Sequence, residues 1–199
     1  MSVYSFRAVT VALVSALTIM GVTHAHAARF TVSLGAIYVQ PQVDSPVLGA
    51  QVSSDTQPLV GLSYYFTRHI ALATQIALPR SDISVDGVNQ GRVSMAPFNL
   101  TAQYHFLPGR AFSPYVGAGI NHTVFFNQGG NLSGFDRFGP STGALVQAGF
   151  MYKLSGKYFL NLDVAKWYIK TDITPKGGSK IETMALNPVT VGLTIGRYF

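Results

Sequence analysis

Beyond residue 28, apolar side chains recur at alternate positions in segments bounded by Gly, Pro, Asn and Asp. This period of two predicts strands at about 29–40, 57–66, 69–79, 93–106, 112–126, 141–153, 157–171 and 182–199. The last segment is the clearest. In Val189-Thr190-Val191-Gly192-Leu193-Thr194-Ile195-Gly196 the apolar residues share one face and Thr or Gly the other, and the run ends at Phe199. The connections alternate in length. Thr67-Arg68, Leu107 to Ala111 and Leu154 to Gly156 are short; Pro41 to Thr56, Arg80 to Arg92, Asn127 to Phe138 and Asp172 to Ile181 are long. Short turns on one side and long loops on the other are the pattern of a membrane barrel with periplasmic turns and extracellular loops. The expected fold is all-β: an eight-stranded antiparallel transmembrane β-barrel. The soluble alternative is a lipocalin-like barrel with the opposite parity, apolar inside. Rows such as Ile70, Leu72, Ile76, Leu78 fit either facing.

Composition favours lipid. Hydrophobic residues make up 48% of the chain and charged residues 11%, against about 25% charged in soluble domains. After the amino terminus no apolar run approaches the roughly 20 residues of a helical span. A closed barrel hides apolar surface without helices, because every main-chain group is paired inside the wall. The amino terminus reads as a secretory signal peptide: Arg7, an apolar stretch from Ala8 to Val22, and the small-x-small site Ala25-His26-Ala27. Residues 1–27 are expected to be removed, leaving 28–199 as the barrel. The chain has no Cys, so neither disulfides nor a thiolate metal site are expected.

The formal charge of +6 is unevenly placed. Arg29, Arg68, Arg110, Lys153, Lys157 and Arg197 fall at strand starts, short turns or the terminal strand, where they would meet an anionic inner leaflet. The long connections mix signs, as in Arg80, Asp82, Asp86 and Arg92. No basic stripe with interleaved aromatics occurs, so no nucleic-acid partner is expected. Tyr64, Phe66, Tyr104, Phe106, Tyr152, Tyr158 and Phe199 cluster near short turns, and Tyr38, Phe125, Phe126, Trp167 and Tyr168 near long loops. Two such bands suit the two interfaces of a membrane.

Pro114-Tyr115-Val116-Gly117-Ala118-Gly119-Ile120-Asn121 with Thr123 and Phe125-Phe126, Asn99-Leu100-Thr101-Ala102-Gln103-Tyr104 with Phe106, Asn161-Leu162-Asp163-Val164, Thr171-Asp172-Ile173 and Leu186-Asn187-Pro188 together resemble the OmpW family of Gram-negative outer-membrane proteins. The similarity runs through the whole mature chain. It implies location in the outer membrane and a narrow barrel with a largely apolar interior, passing small hydrophobic molecules. It also implies that Phe199 is the assembly signal read by the barrel-assembly machinery. The expected surroundings are outer-membrane lipid and lipopolysaccharide, and the expected state is a monomer.

By parity the inward row contains Ile37, Val39, Gln75, Gly117, Gly119, Phe125, Leu145, Gly149 and Met151. The inward glycines either leave room for a narrow, weakly polar cavity or accommodate curvature and large neighbours. The seventh strand has two readings. Regular pairing turns Lys166 to the lipid side, whereas a bulge near Ala165-Lys166 turns Lys166 inward and Trp167 and Ile169 outward. Trp167 is accordingly a lumen constriction or an interfacial residue. Asp163 is inward either way and needs a partner. Catalysis is not expected: His69, His105 and His122 have neither carboxylate clusters nor a nearby Ser in sequence, although Ser113 and Ser141 could approach in space. No metal or cofactor is expected. Two functions remain: a conduit for small hydrophobic molecules, or a structural or surface-interaction barrel whose loops dock other particles, such as phage or bacteriocins.

Overall fold

A sheet of two-faced strands leaves unpaired main-chain groups at both edges, and closing it on itself removes both edges together. The computed structural model describes residues 30–45, 50–77, 80–85, 88–126, 135–138, 140–175, 179 and 182–199. The expected signal peptide lies outside them. In chain order the strands are β1 (Phe30–Gln40), β2 (Ala50–Val52), β3 (Asp55–Tyr65), β4 (Ile70–Ile76), β5 (Arg80–Val85), β6 (Val88–His105), β7 (Phe112–Phe126), β8 (Phe135–Phe138), β9 (Ser141–Lys153), β10 (Tyr158–Trp167), β11 (Lys170–Pro175), β12 (Glu182–Ala185) and β13 (Val189–Tyr198). Eight of them close the ring in the order β1, β3, β4, β6, β7, β9, β10, β13, each antiparallel to the next, and β13 pairs back onto β1 from Thr31↔Tyr198 to Gln40↔Val189.

The parity is that of a lipid-facing barrel. Outward residues are apolar and uncovered: Ile120 is 62% exposed, Phe98 55% and Ile195 53%, with Leu34, Leu100, Val116, Val146, Val164 and Leu193 also exposed. Inward positions hold the buried polar side chains Asn99, Gln103, Asn121, Gln147 and Asp163. A soluble barrel has these two sets exchanged, so the lipocalin-like alternative is dismissed. Around the short turns Phe66, Tyr104, Phe106, Phe112, Tyr152, Tyr158 and Phe199 are all exposed, as is Tyr38 at the other end. Arg68, Arg110, Lys153, Lys157 and Arg197 are exposed at the turn side.

Several boundaries differ from the alternation, and the stretches expected as the long connections 41–56 and 127–138 carry the short strands β2 and β8. The stretch 80–92, expected as a long connection, carries β5 paired with the start of β6, from Arg80↔Ser94 to Val85↔Val88 with a shift at Ile83/Ser84. The two last segments, expected as single strands, each break. Residues 168–169 separate β10 from β11, and 186–188 separate β12 from β13. The breaks face each other: Trp167 N–H donates to the Pro188 carbonyl at 3.0 Å, Leu186 N–H to the Ile169 carbonyl at 2.9 Å, and Ile169 N–H to Asn187 Oδ1 at 3.3 Å. Asn187 adopts φ 31°, a left-handed turn that Asn tolerates better than most residues. Beyond the breaks β12, β11 and β8 leave the wall as a separate three-stranded sheet.

Candidate functional site

An eight-stranded ring has an interior just wide enough to be filled by side chains, and here they fill it in layers. The upper layer, beneath the long loops, is apolar. Ile37, Val39 and Leu59 pack with Ala77, and Met95, Phe125, Leu145, Ala165, Trp167 and Ile169 form a neighbouring cluster with Met184 of β12 and Leu186 of the break that follows it. Between them lies a pocket of about 40 Å³ whose walls include Ile37, Leu59, Ala77, Met95, Trp167 and Ile169. Trp167 is 5% exposed; its indole N–H donates to Thr190 Oγ1 at 3.1 Å.

The middle layer is polar. Asp163 is 1% exposed. It accepts from Gln147 Nε2 at 3.0 Å, Asn161 Nδ2 at 3.1 Å and Gln75 Nε2 at 3.3 Å. Its partners, undetermined from sequence, are therefore amides, with no cation among these bonds. A carboxylate accepts several donors at once, and such bonds offset the cost of burying its charge. Gln147 Oε1 in turn accepts from Gln103 Nε2 at 3.1 Å, and the Tyr115 hydroxyl donates to Asn161 Oδ1 at 3.0 Å. β4 and β10 stand four places apart in a ring of eight, so the Gln75–Asp163 bond crosses a full diameter. The expectation of a largely apolar interior is corrected by this layer: amide side chains at alternate positions look small and uncharged in sequence, yet converge on one buried carboxylate.

The lower layer is aromatic. His105 stacks on Tyr115 with ring centroids 4.9 Å apart, Phe159 lies 4.9 Å from Tyr198, and the Tyr65 hydroxyl donates to Met151 Sδ at 3.2 Å. β3 and β9 are also four places apart, so this contact is a second diametric bridge. A space of about 30 Å³ lies between the polar and aromatic layers, with Gln75 in its wall as well as in that of the apolar pocket. Two bridges thus cross the diameter between the apolar pocket and the short turns.

The inward residues taken from parity thus fall in different layers. Ile37, Val39, Phe125, Leu145 and Trp167 are above the plug, Gln75 is in it, and Met151 is below it. Trp167 and Phe125 point into the lumen and not to the interface. Gly117, Gly119 and Gly149 face inward without leaving room. A Cβ at Gly119 would overlap the Leu100 carbonyl oxygen and stand 2.8 Å from Thr101 Cα, and one at Gly149 would lie 2.6 Å from the Leu162 carbonyl and 2.8 Å from the Tyr115 ring. The glycines permit close approach of neighbouring chains. Pairing of β10 runs without a shift through Ala165↔Thr190 and Lys166↔Val189, so the bulge is absent and Lys166 keeps its outward parity. Its Nζ reaches the rim, donating to Gln42 Oε1 and to the Asn187 carbonyl. The histidines engage other groups: His105 meets Gln103 Oε1, His122 meets Thr142 Oγ1 and His69 meets the His105 carbonyl, while Ser141 Oγ accepts from Lys170 N–H.

One stretch of wall escaped the sequence reading. β4 and β6 pair from Ile70↔Tyr104 to Ala73↔Thr101, and β5 and β6 pair again at Arg80↔Ser94. From Thr74 to Ala77 no further rung joins this stretch to β6 among the described residues, and Gln75, Ala77, Pro97 and Asn99 along this seam line the apolar pocket together with Met95.

Comparison with known proteins agrees with this architecture. The family model described as the OmpW family matches residues 22–199. The chain is 34% identical over 182 residues to outer membrane protein W of Vibrio cholerae, covering 80% of this chain and 83% of that one. It is 37% identical over 121 residues to the outer-membrane protein y4mB of Sinorhizobium fredii; that match covers 58% of this chain and 52%, about half, of the relative. The solution structure of outer membrane protein W of E. coli superposes with a TM-score of 0.64 at 26% identity, covering 88% of this chain and all of that one.

Proposed function

Because the chain belongs to the OmpW family and is an outer-membrane β-barrel, we propose that it takes small hydrophobic molecules from the extracellular side and releases them sideways into the membrane. The observation that carries this is the stacking of an apolar pocket directly above a polar plug that crosses the barrel diameter. An apolar solute is stable against Leu59, Met95 and Trp167. To continue down the axis it would have to displace the amides around Asp163 and strand their hydrogen bonds, at about 1–3 kcal/mol each. The seam between β4 and β6 borders the same pocket and leads to hydrocarbon, where the solute is again stable. A relative from Pseudomonas aeruginosa, 29% identical over 119 residues, is named for a dibenzothiophene metabolism operon, which supports an apolar cargo. At about 40 Å³ the pocket holds one or two water-sized groups, so its walls must move to admit a solute. In this reading the barrel is a monomer surrounded by phospholipid and lipopolysaccharide.

The test is uptake of a small aromatic hydrocarbon into proteoliposomes. Wild-type barrel should speed uptake over protein-free vesicles, and Ala77→Trp, which fills the pocket, should return it toward background. The overpacking costs about 1–3 kcal/mol, so heat-modifiable migration must confirm that the variant is folded. No acceleration by the wild type, or equal uptake by folded Ala77→Trp, overturns the conduit. A surface-interaction barrel would then be preferred, with the sheet of β8, β11 and β12 above the ring as its docking face.

A further inference from the structure

The seam between β4 and β6 is bridged by a side chain. Asn99 Nδ2 donates to the Gln75 carbonyl at 2.9 Å, and Asn99 Oδ1 accepts from the Gln75 N–H at 3.2 Å. A primary amide carries a donor and an acceptor side by side, so it satisfies both main-chain groups of Gln75 as an opposing strand would. The position continues the register of Ala71↔Gln103 and Ala73↔Thr101. The next position of that register on β6 is Pro97, which has no N–H to give, so a complete main-chain rung cannot follow. The ladder therefore stops where a proline forbids it, and one asparagine closes the remaining gap.

We propose that Asn99 is the latch of the lateral exit, a rung that opens by rotation of a single side chain. The proposal rests on the sideways release argued above. Opening a main-chain rung requires two strands to separate, with neighbouring rungs strained as they do. Opening this one requires only that the Asn99 amide swing away from Gln75. Asn99 is 9% exposed and lies in the wall of the apolar pocket, so the solute that fills the pocket is also what presses on the latch. Gln75 stays in place when the latch opens, because its side chain is held by Asp163 on the opposite wall. The plug thus serves as the fixed post against which the latch closes, and the axis stays sealed while the wall opens.

Two variants of opposite sign test this in the full barrel. Asn99→Leu keeps the bulk and removes both hydrogen bonds. Pro97→Val restores an N–H at the seam and should add a main-chain rung. In lipid nanodiscs the Gln75 amide should exchange with deuterium about tenfold faster in Asn99→Leu than in wild type, the loss of roughly one net hydrogen bond. The paired Ala71 and Ala73 amides should not change. In proteoliposomes uptake of the aromatic hydrocarbon should rise severalfold in Asn99→Leu and fall severalfold in Pro97→Val, with ion leak at background in both. Unchanged exchange at Gln75, or uptake that moves the same way in both variants or in neither, overturns the latch. Should Asn99→Leu fail to assemble, the exchange and uptake of Pro97→Val decide alone. If the wild type itself carries no solute, sideways release falls, and the latch with it. Faster Gln75 exchange in Asn99→Leu would then show only that Asn99 closes the wall, which separates that failure from a wrong assignment of Asn99.

Discussion

Gly119→Ala adds one methyl group at a place where the wall has no space for it. The new carbon would overlap the Leu100 carbonyl oxygen and stand 2.8 Å from Thr101 Cα and 2.9 Å from the Leu100 carbonyl carbon. All three atoms are main chain, in the β6–β7 ladder that joins Leu100↔Ile120 and Thr101↔Gly119. No rotamer change relieves the clash, so the ladder must shift. Overpacking of this kind costs about 1–3 kcal/mol, and a main-chain obstacle belongs at the upper end. Removing a glycine from a strand returns about 0.5–1 kcal/mol of chain entropy. The net expectation is a loss of about 2 kcal/mol, a roughly thirtyfold change in the unfolding equilibrium. Gly117→Ala is the matched comparison. Its methyl would meet Thr101 Cγ2 at 2.9 Å and the Ala102 carbonyl at 3.1 Å. The nearer obstacle is a side-chain methyl that can give way, so its loss should stay below about 1 kcal/mol. Denaturant unfolding in lipid vesicles measures both. The chain has one Trp, Trp167, buried in the lumen, so its fluorescence reports collapse of the interior without a label. A Gly119→Ala midpoint equal to wild type, or a larger loss for Gly117→Ala, would refute the close-approach argument and return the inward glycines to the role of cavity makers.

Other substitutions probe the remaining layers. Asp163→Leu strands the amides of Gln75, Gln147 and Asn161, at about 1–3 kcal/mol per donor that finds no new acceptor; vesicle unfolding should show a larger loss than Asp163→Asn, which keeps one acceptor, and equal losses would speak against the plug. Thr123 Oγ1 is buried with no partner among the described residues, so Thr123→Val should be neutral or slightly stabilising in the same assay. Thr190→Val removes the acceptor of the Trp167 indole and should cost about 1 kcal/mol; the reverse ranking of the two threonines would contradict the assigned bonds. Phe199 N–H donates to the Phe30 carbonyl at 2.8 Å, and the Arg197 guanidinium lies 5.0 Å from the Phe199 ring. If Phe199 is the assembly signal expected from the resemblance, its deletion should deplete heat-modifiable barrel from the outer membrane of expressing cells, and undiminished yield would overturn that expectation.

Strand positions and their facing were legible because a tilted wall with lipid on one side imposes a period of two that survives in the linear order. Ile37, Val39 and Leu145 could be assigned inward from that period alone, and so could Asp163. The same period could not say what those residues meet. Gln75 and Asp163 are 88 positions apart in the chain, as are Tyr65 and Met151 by 86, and only closure of the ring brings each pair across a diameter. The facing of Trp167 and Lys166 depended on whether β10 carried a bulge, which is set by its neighbours β9 and β13 and not by its own residues.

What the sequence by itself determined is therefore the class of wall: eight two-faced strands, apolar outside, with alternating short and long connections and an aromatic end. Those features follow from local chemistry, since each residue must suit lipid, water or a neighbour's main chain where it stands. What the tertiary structure alone decided is what crosses the lumen. Glycines that look like absent side chains are contact points for adjacent strands, because tilt and curvature press main chains together. Scattered amides become a plug, because a narrow ring forces opposite walls within hydrogen-bonding distance. A lone Asn beside a proline-broken ladder becomes a rung, because only the pairing of β4 with β6 shows that a rung is missing there.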